Sequence, residues 1–169
     1  FEVALSPATL TRVAVAEFER QVDLPGVLIL DHGCFVGLLS RQNCLQHLSR
    51  PFGLEVFLRR PIMHLYTSLA AQPLVLAAHL PIDQAVDQAL SRDTAHLYEP
   101  IVMEFPDATL RVLDLHTLLL AQSQLLAKAT QIIQRQAAFG RALSATLDLS
   151  SVLKLVLDHL ETSVPCDRL

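Results

Sequence analysis

Charge is scarce in this chain. Of its 169 residues, 18% are Asp, Glu, Lys or Arg and 51% are hydrophobic. That balance excludes a disordered, solvated chain and leaves ample material for a core. Thirteen basic residues against seventeen acidic ones give a net charge of −4. Nucleic acid is therefore disfavoured as a partner, because affinity for it rests on basic charge. The three cysteines, Cys34, Cys44 and Cys166, follow no metal-ligand spacing. They read as free thiols of a reducing cytoplasm. Histidines 32, 47, 64, 79, 96, 116 and 159 are scattered, with no pair at ligand spacing. A Gly-rich phosphate loop, a Ser-His-Asp arrangement and a nucleophile elbow are all missing. The chain thus offers no catalytic residue and no metal site, and a non-enzyme is expected. No signal peptide opens it. Residues 61–82 lack Asp, Glu, Lys and Arg, but His64, Gln72, Pro73, His79 and Pro81 interrupt them. A span needs about 20 predominantly apolar residues, so this stretch reads as buried soluble structure, away from any membrane.

What is present is an internal repeat. "GVLILDHGCFVGLLSRQNCL" begins at residue 26 and "PIVMEFPDATLRVLDLHTLL" at residue 100, an offset of 100 − 26 = 74. Val27-Leu28-Ile29 falls on Ile101-Val102-Met103, Val36 on Leu110, Leu38-Leu39 on Val112-Leu113, and Leu45 on Leu119. Each stretch reads as a strand, a turn (at His32-Gly33 in the first), a second strand and the start of a helix. Upstream, Pro7 falls on Pro81 at the same offset, and each proline introduces a helical pattern. Leu10, Val13, Ala14 and Phe18 share one face in the first copy, and Ile82, Ala85, Val86 and Leu90 in the second. These faces are offset by 82 − 10 = 72, so the loop before the strand slips by two residues. The apolar segments "FEVAL" and "PLVLAAHL" suit short strands. Each copy reads β-α-β-β-α. One copy of about 45 residues is too small for its own core, so the two are expected to share one.

This tandem unit resembles a pair of cystathionine-β-synthase-type (CBS) domains. The family's late pattern is Gly, two apolar residues, Thr or Ser, two residues, then Asp leading into a helix. Copy one has Gly37, Leu38, Leu39, Ser40, Arg41, Gln42 and Asn43 in that order. The resemblance implies a disc-like pseudo-twofold α/β (α+β) pair that often binds adenine nucleotides between its copies and tunes an attached partner domain. In such a site the hydroxyl residue meets phosphate and the Asp accepts from ribose. Ser40 fits the first role. Asn43 fits the second only in part, since its amide has one acceptor oxygen. In copy two Asp114 takes the hydroxyl position and would repel phosphate, Thr117 replaces the Asp and Arg111 the Gly. Adenine nucleotide is accordingly disfavoured and no cofactor is expected. The competing reading makes Ser40 and Asp114 N-caps of the helices that follow.

Between the copies, Arg50, Arg59 and Arg60 gather near Phe52, Phe57 and Ile62. Two readings stand: an anion-binding patch, or a linker in which the apolar side chains pack and the arginines cover the edge. The segment resembles the "PFG…RRP" stretch of CBS-like input modules in bacterial multi-domain sensors. The candidate ligand residues are therefore Ser40, Asn43, Arg59, Arg60 and Asp114.

From Leu115 the pattern becomes helical. Leu118, Leu125, Ile132 and Phe139 recur every seven residues, as do Leu119, Leu126 and Ile133. A helix of about 25–30 residues is expected, with a double stripe wider than a coiled-coil seam. Residues 118–143 are expected to pair with their copy in a homodimer. Asp148 then reads as the N-cap of a further helix bearing Leu149, Val152, Leu153, Val156, Leu157 and Leu160. With "TLDL" before it and "VPCDR" after it, this stretch resembles the opening of a GAF sensor domain. The domain reading is CBS-like repeat 1 at 1–49, linker at 50–73, CBS-like repeat 2 at 74–117, signalling helix at 118–145 and the start of a GAF domain at 146–169. Both ends read as cuts through a longer protein. The implied role is a cytoplasmic regulatory input module, working with downstream GAF and output domains in the same chain. Its output would be a sensor histidine kinase, or alternatively a diguanylate cyclase. A ligand-free homodimerisation module is the competing role.

Overall fold

A computed structural model describes residues 1–69 and 71–163, and the side chains of these except 143, 145–148, 155 and 158–163. The chain forms two units, Phe1–Gln122 and Ser123–Leu169.

The first unit holds both repeats. The first runs β1 (Ala4–Leu5), α1 (Thr11–Arg20), β2 (Gly26–Asp31), β3 (Cys34–Ser40) and α2 (Arg41–Leu48). Two short helices follow, α3 (Gly53–Phe57) and α4 (Ile62–Leu69). The second repeat runs β4 (Leu74–Ala77), α5 (Ile82–Leu90), β5 (Ile101–Glu104), β6 (Leu110–Leu113) and α6 (Leu115–Ser163). Each repeat makes one three-stranded sheet with its middle strand parallel to the first and antiparallel to the third. The expected β-α-β-β-α unit therefore forms twice. The β2–β3 turn bends through His32 (φ 47) and Gly33 (φ 84). Positive φ at both central residues matches the right-handed twist of the flanking strands.

The register fixes how the copies correspond. Leu28 pairs with Leu38, and Val102 with Val112, each 74 residues on. These four buried residues form their own cluster, two from each sheet, and so hold the repeats together about a pseudo-twofold axis. Burying side chains of this size stabilises by roughly 1.5–3 kcal/mol each. Upstream the offset differs. Ala4 pairs with Leu28 and Val75 with Val102, while Thr11 and Ile82 open the two helices. Both give 71 (75 − 4 and 82 − 11). The slip between helix and strand is therefore three residues, not two. It moves the core faces as well: Ala14 and Phe18 correspond to Ala85 and Ala89, all buried, whereas Val13 and Leu90 are 38% and 46% exposed. Leu10 precedes α1, and Pro7 lies four residues upstream of that helix, while Pro81 directly precedes α5.

The segment between the repeats serves the first of them. Leu10 has no side-chain cap to offer α1. Instead the N–H groups of Thr11 and Arg12 donate to the carbonyls of Arg60 (2.9 Å) and Leu58 (3.1 Å), and Ile62 N–H donates to Thr9 (2.7 Å). Helix N-termini need such acceptors for their free donors. Ile62 and Leu65 are buried in the first repeat's core, with Phe57 packed against it. Phe52 departs from its expected packing. It sits at φ 63, is 75% exposed, and lets Gly53 approach the carbonyls of His47 and Leu48.

Helix α6 is longer than the sequence pattern implied, 49 residues without interruption. Asp148 lies within it, so the break expected there is absent. The "VPCDR" stretch falls outside the described residues. No described helix is long and apolar enough to cross a membrane.

Candidate functional site

A cleft of about 720 Å³ opens in the first unit where the N-termini of α2 and α6 meet the loops leading into β2 and β5. Ser40, Asn43, Asp114 and Thr117 all line it. Arg59 does not; it borders a separate depression with Leu54, Glu55 and Leu58. Arg60 is exposed, and its contribution is the backbone carbonyl that receives Thr11.

Ser40 is buried and caps α2, its Oγ accepting from Asn43 N–H at 3.1 Å. Asp114 holds the equivalent position before α6, but there the backbone carbonyl accepts, from Leu118 N–H at 3.3 Å. Asn43 reaches across the repeats, its Nδ2 donating to Glu99 Oε1 at 2.7 Å. That leaves the Asn43 amide oxygen as its remaining acceptor.

The glycine before Ser40 has a local reason. A Cβ on Gly37 would fall 2.2 Å from Cζ of Tyr66, so only glycine lets the α4 phenol lie against β3. Burial is the first cause raising the Tyr66 hydroxyl above its ordinary pKa; a backbone hydrogen bond from Leu38 works against it and the Glu99 charge adds to it.

One guanidinium group lines the cleft and a second lies in the loop before β5, and both are occupied. Arg41, first residue of α2, donates to Phe18 O (2.7 Å), Gln21 O (3.0 Å) and Val22 O (2.6 Å), closing the C-terminus of α1. Its fork also lies 5.6 Å from the Phe18 ring centroid. The position of Arg41 in the second repeat is Leu115, 74 residues on, which cannot do this. Arg92 does it from the loop instead, donating to Ala89 O, Leu97 O and Glu99 O, each at 3.0 Å. Phe18 and Ala89 correspond at the offset of 71, so the same helix end is closed twice by different arginines. Burial lowers the Arg92 pKa while the Glu99 charge works to raise it. Arg92 shapes the loop 91–100, in which Asp93 Oδ1 also takes His96 N–H (3.0 Å) and lies 2.7 Å from His96 Nδ1. The bonds from His96 hold the Asp93 carboxyl below its usual range.

The cleft lining therefore carries three carboxylates, Asp23, Glu99 and Asp114. Its one guanidinium, Arg41, already serves three carbonyls. Tyr98, 73% exposed, offers a ring at the rim. An anionic group entering here meets carboxylates and no uncommitted arginine among the described residues. Among those residues, no group of three His, Cys, Asp or Glu is placed to hold a metal ion.

Sequence reasoning missed Glu99, Tyr98 and the two arginine anchors. One signal was available: Glu99 corresponds to Pro25 at the offset of 74, and Pro25 lies beside Ser40 at the head of the same strand pair.

No family model matches the sequence, and no curated protein is significantly similar to it. Solved structures do resemble it. A CBS-domain-containing protein from Agrobacterium tumefaciens is 12% identical, with a TM-score of 0.53 over 72% of this chain and 90% of that one. OpuCA from Staphylococcus aureus is 9% identical, with a TM-score of 0.50 over 73% and 93%. The cytosolic domain of the Mg2+ channel MgtE, in complex with ATP, is 9% identical with a TM-score of 0.50; the match covers 69% of this chain and 43% of that one. At these identities the likeness establishes the fold, that of a CBS-domain pair.

Proposed function

We propose that this chain is a regulatory input module, in which a change at the CBS-type cleft or in the packing of the two repeats is passed on through α6. The carrying observation is that the last helix of the second repeat starts at the cleft, with Asp114, His116 and Thr117 in its lining, and runs on unbroken for 49 residues. Displacing the helix start displaces whatever the helix holds. On this reading the module works in the cytoplasm as a homodimer through residues 118–143. It delivers its signal to a GAF domain and then to a sensor histidine kinase, or to a diguanylate cyclase as the alternative output. A ligand-free dimerisation module is the competing reading.

The cleft's chemistry bears on the ligand. Asp114 and Glu99 both line the cleft, so a phosphate entering it would meet their charge, and Asn43 gives its amide N–H to Glu99. Calorimetry is expected to show weak or no binding of ATP and AMP, and Asp114→Asn to strengthen whatever binding there is. Micromolar affinity in the unsubstituted chain overturns this part of the reading.

The relay is tested by two deletions in the chain joined to its output domain. Removing residues 125–131 takes out one heptad and leaves the apolar stripe in phase. Removing 125–128 turns the distal part by about 40°, since four residues at 3.6 per turn make about 400°. The shorter deletion is expected to alter output more. Equal outputs would make the helix a passive tether and favour the dimerisation module.

A further inference from the structure

The exposed apolar residues of α6 fall into two groups. Leu125, Leu126, Ile132, Ile133 and Phe139 are 50–67% exposed, and Leu149, Val152, Leu153, Val156 and Leu157 are exposed to a similar degree. At about 100° per residue, the first group points on average to one side of the helix. The second points about 130° away from it. In the sequence between them, Leu143 and Leu147 keep the spacing of the first face, and Ser150, Ser151 and Lys154 then take that face over. A supercoiled pair absorbs about 20° of this per heptad, or about 60° over the roughly three heptads between the groups, so the second group lies about 70° off the first seam.

We propose that the first face alone is where a second copy of this chain docks, as a parallel, in-register helix pair, and that this seam ends near Asp148. The occupant follows from period and area. Layers at Leu125-Leu126, Ile132-Ile133 and Phe139 recur every seven residues, the repeat that two supercoiling helices share. They leave on the order of 600 Å² of apolar side chain uncovered, at the upper limit for a monomer surface and near the roughly 800 Å² each partner buries in an ordinary dimer. Direction follows from charge. Lys128 and Arg135, also seven apart, flank one edge of this face, while Leu126 and Ile133 form the other. In a parallel pair the two edges meet each other, so the lysine and arginine stems lie over apolar side chains. In an antiparallel pair like edges meet, and Lys128 of one copy faces Arg135 of the other.

The proposal rests on the dimeric relay described above and adds its extent and direction. It is tested by disulfide cross-linking of the whole chain with Cys34 and Cys166 changed to Ser. Buried Cys44, with its thiol pKa pushed up to about 12, stays inert. Leu125→Cys, Ile132→Cys and Phe139→Cys are each expected to give cross-linked dimer at least tenfold faster than Val152→Cys or Val156→Cys. Rapid cross-linking at Ile132→Cys but not at Leu125→Cys and Phe139→Cys would mean an antiparallel pair. Equal rates at Val152 and Val156 would mean one continuous seam, and a monomer in sedimentation at tens of micromolar would remove the docked copy altogether. Each of these overturns the proposal. Cross-linking as expected together with unchanged output in the deletion variants would overturn the relay and leave the docked pair standing.

Discussion

Asn43 on α2 and Glu99 in the loop before β5 are joined by a 2.7 Å hydrogen bond that crosses from one repeat to the other. The carboxylate accepts and the amide donates, so the bond holds the cleft wall to the cleft floor. Asn43→Ala leaves a half-buried carboxylate without its donor and is expected to cost about 1 kcal/mol in urea unfolding. Asn43→Asp is expected to cost more, and in a pH-dependent way. Two carboxylates at this distance raise the pKa of one in the folded state. Stability is then retained below the ordinary carboxylate range and lost as pH rises through the raised value. An equal loss at pH 4 and pH 7 would show that the two side chains do not meet.

Gly37→Ala drives a methyl group into the Tyr66 ring and is expected to destabilise by about 1–3 kcal/mol, the usual cost of overpacking. The Tyr66→Ala background should recover part of this, giving a coupling energy of about 1 kcal/mol in a double-mutant cycle. Additive effects would place the phenol elsewhere.

The repeat was legible because strand pairing imposes a period and the two hairpins keep their lengths, so the offset of 74 survived in Val27, Leu28, Leu38 and Leu39. The helix faces were harder. Leu10, Val13 and Leu90 complete plausible apolar stripes, yet tertiary packing uses Thr11, Ala14 and Phe18 in one copy and Ala85, Val86 and Ala89 in the other. A buried threonine carries no hydropathy signal; it is satisfied by the Arg60 carbonyl, to which its Oγ1 donates at 3.1 Å, and nothing local announces that. Ser40 was readable as a cap because capping is a local bond. Asn43–Glu99 and the Arg92 anchor depend on a loop conformation that residue order alone does not express. Of the residues in the anion-patch reading, Arg59 borders a depression separate from Ser40 and Arg60 gives its backbone carbonyl to α1, because α3 and α4 turn that segment toward the first repeat's core.

Cys44 is buried, and desolvation pushes its thiol up to about 12 from the ordinary 9.0. The neutral thiol's contribution to stability is complete below pH 9 and lost as pH rises from 9 towards 12. In a Cys166→Ser chain, a disulfide reagent at pH 8 is expected to modify exposed Cys34 quickly and Cys44 only on unfolding. Two fast thiols under native conditions would contradict this burial.

Arg92→Lys keeps the charge but cannot fork to three carbonyls. Loss of about 1–2 kcal/mol is expected, with faster amide exchange in the loop 91–100 and little change in α1. Exchange that speeds equally in α1 would mean the two arginine anchors are not independent.

The three residues gained before β5 give the cleft a polarity. In a strictly duplicated pair, a molecule lying across the pseudo-axis would meet the same surroundings in either orientation. Here one end of it would meet Glu99, Tyr98 and the Arg92-shaped loop, and the other the shorter turn at Asp23 and Pro25. Any occupant therefore has a defined head and tail, and a molecule with two identical ends gains no twofold advantage.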